Sequence, residues 1–198
     1  MITTKSKKRD NVKQIALLGI KSGVGVTHTG ILMGEFLKEK MGAKVAFVEK
    51  NYHGDVERLG TMIYGSSEEM FAFRGIDYYS LKKDGDELQN SKKEYDYLIL
   101  DFGTQKKKNL KELEQCDKKV VIGTLNLWEW QEYMRGAQYY KDNLEEGTIE
   151  YMVSLGNKKL VKRLEKQLQR KICFLGAQPI DEALSEEVEH FFCTLIEK

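Results

Sequence analysis

The segment Gly19-Ile20-Lys21-Ser22-Gly23-Val24-Gly25-Val26-Thr27-His28 follows an apolar run, Ile15-Ala16-Leu17-Leu18. Its glycines, lysine and hydroxyls are the parts of a phosphate cradle. Glycines let successive backbone N–H groups converge on phosphate oxygens, and a helix beginning just behind them adds partial positive charge. The usual pattern is G-x-x-x-x-G-K-[ST]. The spacing here fits the variant x-K-G-G-x-G-K-[ST], with Ile20 in the leading place and Lys21 as the early lysine. Ser22 and Gly23 then stand for the glycine pair, Gly25 for the last glycine and Thr27 for the metal-side hydroxyl. Val26 falls where the phosphate-binding lysine belongs, so the cradle is present and its central cation is missing. The alternative is a plain glycine turn that lets a strand and a helix pack closely.

A second group with chemical potential is Tyr95-Asp96-Tyr97-Leu98-Ile99-Leu100-Asp101. An aspartate ending a buried apolar strand is placed to hold Mg through water, next to a phosphate loop. Asp101 has that position, and with Thr27 it forms the candidate metal pair; its bland alternative is to cap the next segment. Asp101-Phe102-Gly103 is not read as a kinase motif, because the other kinase signatures are missing. His28, His53 and His190 have no ligand spacing and no metal is assigned to them.

These residues need a scaffold. Ile15–Gly19 reads as a buried strand, 29–41 as an amphipathic helix and 44–48 as a second strand, which together make a βαβ unit with parallel strands. The region 53–75 is mixed and holds a short helix. Strands are expected at 76–81, 97–101, 119–124, 150–155 and 173–176, and helices at 158–171 and 181–197. Strands alternating with helices predict an α/β fold: three layers, a mostly parallel twisted sheet with helices on both faces. Residues 1–11 read as a flexible polar tail and 12–198 as one domain.

Composition limits the function. The chain has 198 residues, 41% of them hydrophobic, enough for a real core. Its charges nearly cancel at +1, so no global field pulls it toward nucleic acid or membrane. Three widely spaced cysteines argue against a zinc or disulfide framework and for a reducing cytoplasm. Met1–Arg9 is polar and lysine-rich with no apolar run behind it, so it is not read as a secretory signal, and no run approaches the roughly 18 apolar residues of a membrane span.

The loop, the Val45–Val48 strand with its polar ending, and the Tyr95–Asp101 strand together resemble the MinD/ParA family of deviant Walker A ATPases. Val120–Trp128 and Leu175–Pro179 resemble that family's later strands, so the likeness runs from about Val12 to the end. The resemblance implies a P-loop NTPase-like fold and, on residues 21–28 (Lys21, Ser22, Gly23, Val24, Gly25, Val26, Thr27 and His28), ATP with Mg bound weakly or not at all. It also implies a homodimer or a protein partner. In that family the early lysine, here Lys21, reaches the other subunit's nucleotide, and a strand-ending D-x-D places the attacking water. This chain has Glu49-Lys50-Asn51 there, so Asn51 stands at the hydrolytic aspartate position and an amide cannot take a proton as a carboxylate does. With Val26 this makes two losses in one mechanism, and phosphoryl transfer is mainly positioning and charge neutralisation. The resemblance therefore implies a degenerate, TadZ- or CpaE-like member with little or no hydrolysis, acting as a localisation or assembly adaptor for pilus or secretion machinery.

Two other functions stay open. Lys21 is either a solvated loop lysine or a remaining phosphate contact, in which case a slow ATPase is possible. The basic helix carrying Lys158, Lys162, Arg163 and Lys166 is either a solvated face or a DNA contact of a partition factor. A further basic run, Lys106-Lys107-Lys108, lies just beyond Asp101. Acidic residues on the closing helix oppose binding to anionic lipid. Asn157 lies close to where the family often has a base-contacting asparagine. Trp128-Glu129-Trp130 either packs inward or makes a protein contact, and Tyr139-Tyr140 faces the core on one side only.

Overall fold

The computed structural model describes residues 12–66, 70–80, 94–104 and 110–197. The expected tail and the Lys106–Lys108 run lie outside the described residues. Eight strands form one sheet: β1 (Lys13–Gly19), β2 (Val45–Glu49), β3 (Met70–Phe73), β4 (Ile76–Tyr79), β5 (Tyr97–Asp101), β6 (Lys118–Leu125), β7 (Ile149–Gly156) and β8 (Ile172–Phe174). Their order is β3-β4-β2-β5-β1-β6-β7-β8. Every pairing is parallel except β3 with β4. β2 and β5 are buried throughout, which is why they read as unbroken apolar runs rather than alternating ones.

The described helices are α1 (Val26–Met41), α2 (Asp55–Tyr64), α3 (Leu110–Gln115), α4 (Trp130–Asn143), α5 (Lys158–Leu168) and α6 (Glu186–Glu197). Leu32, Phe36 and Leu37 of α1, Val56 of α2 and Val188, Phe192 and Leu195 of α6 pack on one face of the sheet, against Leu17, Phe47 and Ile99. Leu113 of α3, Tyr133 and Tyr140 of α4 and Val161 and Leu164 of α5 pack on the other, against Leu18, Val48 and Leu100. The result is the three-layer α/β architecture expected. α1 lies so close to the sheet that a methyl group on Gly30 would sit 2.3 Å from the Phe47 ring.

The sequence boundaries shift in ways with physical causes. α1 starts at Val26 rather than 29, because the helix begins directly behind left-handed Gly25. α6 starts at Glu186 rather than 181: the Gln178 side-chain amide bonds along the preceding loop, Nε2 donating to the Ala183 carbonyl (3.1 Å) and Oε1 accepting from the Ser185 N–H (3.2 Å). α5 stops at Leu168, where Gln169 turns left-handed. β3 and the helices α3 and α4 add to the elements read from the sequence.

β8 ends the sheet, and its outward N–H groups are not left open. Ile172 N–H donates to Glu165 Oε1 (3.1 Å) and Phe174 N–H to Glu187 Oε1 (3.0 Å). Carboxylates from the two flanking helices thus occupy donors that another strand would otherwise use.

Strand register places the site. β1 lies between β5 and β6, so the chain goes to one side of β1 after that strand and to the other side after β5. Crevices at such switch points, beyond the carboxyl ends of the strands, are where open α/β sheets bind ligands. Glu49 of β2 pairs with Asp101 of β5, which also pairs with Leu17 of β1. Partners in a parallel register share a face, so both carboxylates project toward the start of α1.

Candidate functional site: a phosphate-type loop with neutralised cations

The loop is tied at its base. Gly19 N–H donates to the Gly103 carbonyl (2.7 Å), and Ile20 N–H to the Ile122 carbonyl (2.9 Å). Gly23 and Gly25 take left-handed conformations at φ 76° and 84°, which side-chain-bearing residues rarely adopt. Ser22 and Gly23 are exposed, whereas Val24 is buried and anchors the loop. The Gly25 carbonyl accepts from the Thr29 N–H (2.9 Å) and hydroxyl (2.8 Å), fixing the first turn of α1. Val26, in the lysine position, belongs to the core cluster under α1. His28 lies aside: its Nε2 donates to the Gln178 carbonyl (2.7 Å), joining α1 to the loop before α6.

Thr27, Asn51 and Asp101 do come together. Thr27 Oγ1 donates to Asp101 Oδ2 at 2.7 Å and lies 3.2 Å from Asp55 Oδ2. Asn51 Nδ2 lies 3.0 Å from both the Asp101 carbonyl and Oδ1, and the Gly103 N–H also donates to Oδ1 (2.8 Å). Asn51 Oδ1 accepts from the His53 N–H (2.9 Å). Asp101 therefore caps the turn after β5 and faces Thr27 as well; its two readings are compatible. Burial pushes the Asp101 carboxyl above its ordinary value, against the pull of the Thr27 and Gly103 hydrogen bonds. Behind it, buried Glu49 accepts from the Asp55 N–H (2.7 Å) and so anchors the start of α2. Burial raises this carboxyl too, and the neighbouring Asp101 and Asp55 charges add to the rise.

A cleft of about 490 Å³ opens over these groups. Residues 21–28 line one side, Asp55, Arg58 and Met62 of α2 another, and Phe47, Tyr78 and Asp101 the floor. Among the described residues, Lys21 and Arg58 are the lysine and arginine on its walls, and each faces a carboxylate. Lys21 Nζ is paired with Glu129 Oε1, with Glu132 at 3.9 Å. Glu129 is held from several directions: Thr124 Oγ1 donates to it (2.6 Å), as do the N–H (2.8 Å) and side-chain amide (2.9 Å) of Asn126. Burial opposes the Glu129 charge, but Lys21 first, and then the Thr124 hydroxyl and Asn126 N–H, outweigh it and the carboxyl falls to about 2. Arg58 Nη2 pairs with Asp55 Oδ1 (2.5 Å) and Nη1 donates to the His53 carbonyl (2.7 Å). That pair is one helical turn on the surface, its arginine 67% exposed, and such pairs contribute only about 0–1 kcal/mol.

Mg fits these residues only with help. Thr27 and Asp101 offer the hard oxygen ligands that Mg prefers, but among the described residues no cluster of three His, Cys, Asp or Glu side chains could hold a metal. Phosphate oxygens and water would have to complete the shell.

Sequence reasoning missed Glu129, Asp55 and Arg58. Glu129 sits between two tryptophans that drew attention as aromatics; Trp128 is exposed and Trp130 half-buried, so the triplet splits between the two readings. Gly54 followed by an acidic first helical turn is the signal that could have found Asp55; nothing local marks Arg58. Asn157 is the N-cap of α5, accepting from the Lys159 N–H (2.9 Å), and points to no ligand. Lys158, Lys162, Arg163 and Lys166 are exposed, as both readings of that helix allow.

Fold and loop define a class: a P-loop NTPase-like α/β protein. No sequence-family profile matches the chain, and no curated protein does. Among solved structures it is similar to the MinD cell division protein of Aquifex aeolicus, at TM-score 0.67 and 16% identity over 94% of this chain and 98% of that one. It is similar to a putative plasmid partition protein from Borrelia burgdorferi bound to AMPPNP, at TM-score 0.64 and 15% identity over 95% and 98%. A ParA family ATPase from Chlorobium tepidum TLS matches at TM-score 0.61 and 14% identity over 94% and 92%. At such identities the likeness is one of fold. Among the described residues, no helix is long and apolar enough to cross a membrane.

Proposed function

We propose that this chain is a degenerate MinD/ParA-like protein that binds ATP with Mg on residues 21–28 and hydrolyses it little or not at all. It acts in the cytoplasm as a localisation or assembly adaptor, of the pilus or secretion type, through a homodimer or a protein partner. The observation that carries this reading is the state of the two altered positions. Val26 is packed into the core, and Asn51 spends its amide N–H on Asp101 and its amide oxygen on a backbone N–H. Neither can neutralise a phosphate or take a proton from water. The left-handed glycines and the start of α1 remain able to receive phosphate oxygens, with Thr27 and Asp101 turned toward the metal side.

The slow-ATPase alternative, with Lys21 replacing the missing lysine, is disfavoured by the Glu129 pair. The DNA-partition alternative rests on exposed Lys158, Lys162, Arg163 and Lys166; two of these lean on aromatic rings, Lys158 on Phe174 and Arg163 on Trp130. Titration of purified protein with ATP and Mg, followed by a phosphate-release assay, separates the readings. Saturable binding without release supports the adaptor. Release abolished by Asp101→Ala supports the enzyme. DNA binding that falls steeply with salt and is lost in Lys162→Ala/Arg163→Ala supports the partition factor.

A further inference from the structure

We infer that Arg58 is the cation that contacts the outer phosphates of a nucleotide in this cleft, in place of the lysine lost at Val26. The inference rests on the nucleotide-binding reading and adds a residue to it. Two observations place Arg58. It lines the same cleft as residues 21–28. The Asp55 carboxylate links it to the loop, with Oδ1 on the guanidinium and Oδ2 3.2 Å from the Thr27 hydroxyl. One carboxylate therefore separates Arg58 from the metal-side hydroxyl of the cradle. A carboxylate between a guanidinium and a hydroxyl occupies the kind of position a phosphate oxygen takes, and the planar fork suits phosphate as well as carboxylate.

The two cations differ in how readily they can be released. Lys21 faces a carboxylate that is nine-tenths buried and already held by Thr124 and Asn126; removing the lysine would leave that charge short of its counter-ion. Arg58 faces an aspartate one-third exposed, which water can solvate once the pair opens. Exchange of Asp55 for a phosphate at Arg58 is thus the easier step. Meanwhile the bond from Nη1 to the His53 carbonyl holds the guanidinium over the cleft.

The test is ATP–Mg binding by calorimetry in the wild type, Arg58→Gln and Lys141→Ala, the last an exposed lysine outside the cleft. Glutamine removes the charge while keeping a donor for the His53 carbonyl, and thermal melts check that each variant is folded. The expected result is a loss of tenfold or more in affinity for Arg58→Gln and less than threefold for Lys141→Ala. Equal affinity in folded Arg58→Gln and wild type, or an equal loss in Lys141→Ala, overturns this inference and leaves the nucleotide-binding reading standing. No binding by the wild type overturns both.

Discussion

At the residue scale, the site is organised around charges that are already answered. Asn51 faces the buried Asp101 with an amide. Asn51→Asp would set two carboxylates side by side, raising their proton affinity. A carboxyl raised in the folded state binds more protons there than in the unfolded chain, so stability falls as pH rises through the raised value. Asn51→Asp is expected to cost about 2–3 kcal/mol at pH 7 and less at pH 5, measured by urea denaturation; equal cost at both pH values contradicts the account. Glu129 behaves in the opposite sense. Its carboxyl is depressed from 4.5 to about 2, so its stabilisation is complete above the ordinary value and disappears as pH falls through that interval. Allowing for the half-exposed Lys21 end, it is worth on the order of 2 kcal/mol. Glu129→Gln should flatten the fall in stability between pH 4.5 and 2 relative to wild type. Val26→Lys returns a cation to the cradle and should tighten ATP binding tenfold or more, about 1.4 kcal/mol, read by the same calorimetry.

At the scale of elements, the edge of the sheet makes its own prediction. Glu165 and Glu187 cover the outward N–H groups of β8. Glu165→Ala/Glu187→Ala should leave the fold intact by circular dichroism but promote self-association at high concentration, seen by light scattering. A variant as monodisperse as wild type would show that the two carboxylates do not guard the edge. Element type was largely legible because its signals are local: unbroken apolar runs gave β1, β2 and β5, and the basic amphipathic pattern gave α5. What escaped depends on distant partners. α4 is built around Tyr133 and Tyr140, whose role comes from packing against the far face of the sheet, and its alternation of aromatic and charged residues hides the stripe. β3 is short and half-exposed, and earns its place by antiparallel pairing with β4. In the site, Thr27 and Asp101 could be read from the loop and strand patterns, and Asn51 only through the family resemblance. Glu129 could not, because it lies 108 positions from Lys21 and is brought beside it by the pairing of β1 with β6.

At the scale of the whole molecule, the sheet order explains why such distant residues meet. β1 carries the loop between β5 and β6, so the strand ends bearing Asp101 and the segment bearing Glu129 flank it from opposite sides. Asp101 accepts from Thr27 on one flank, while Glu129 holds Lys21 from the other. The architecture keeps a glycine-rich backbone loop at the switch point and surrounds it with paired charges; on the proposed reading it would hold a nucleotide rather than cleave it. The most direct measurement is a single-turnover experiment with protein in excess over γ-labelled ATP and Mg, following bound nucleotide and released phosphate together. The account predicts that ATP is retained on the protein and recovered intact over hours. Release of phosphate within seconds to minutes, lost in Asp101→Ala, would contradict it.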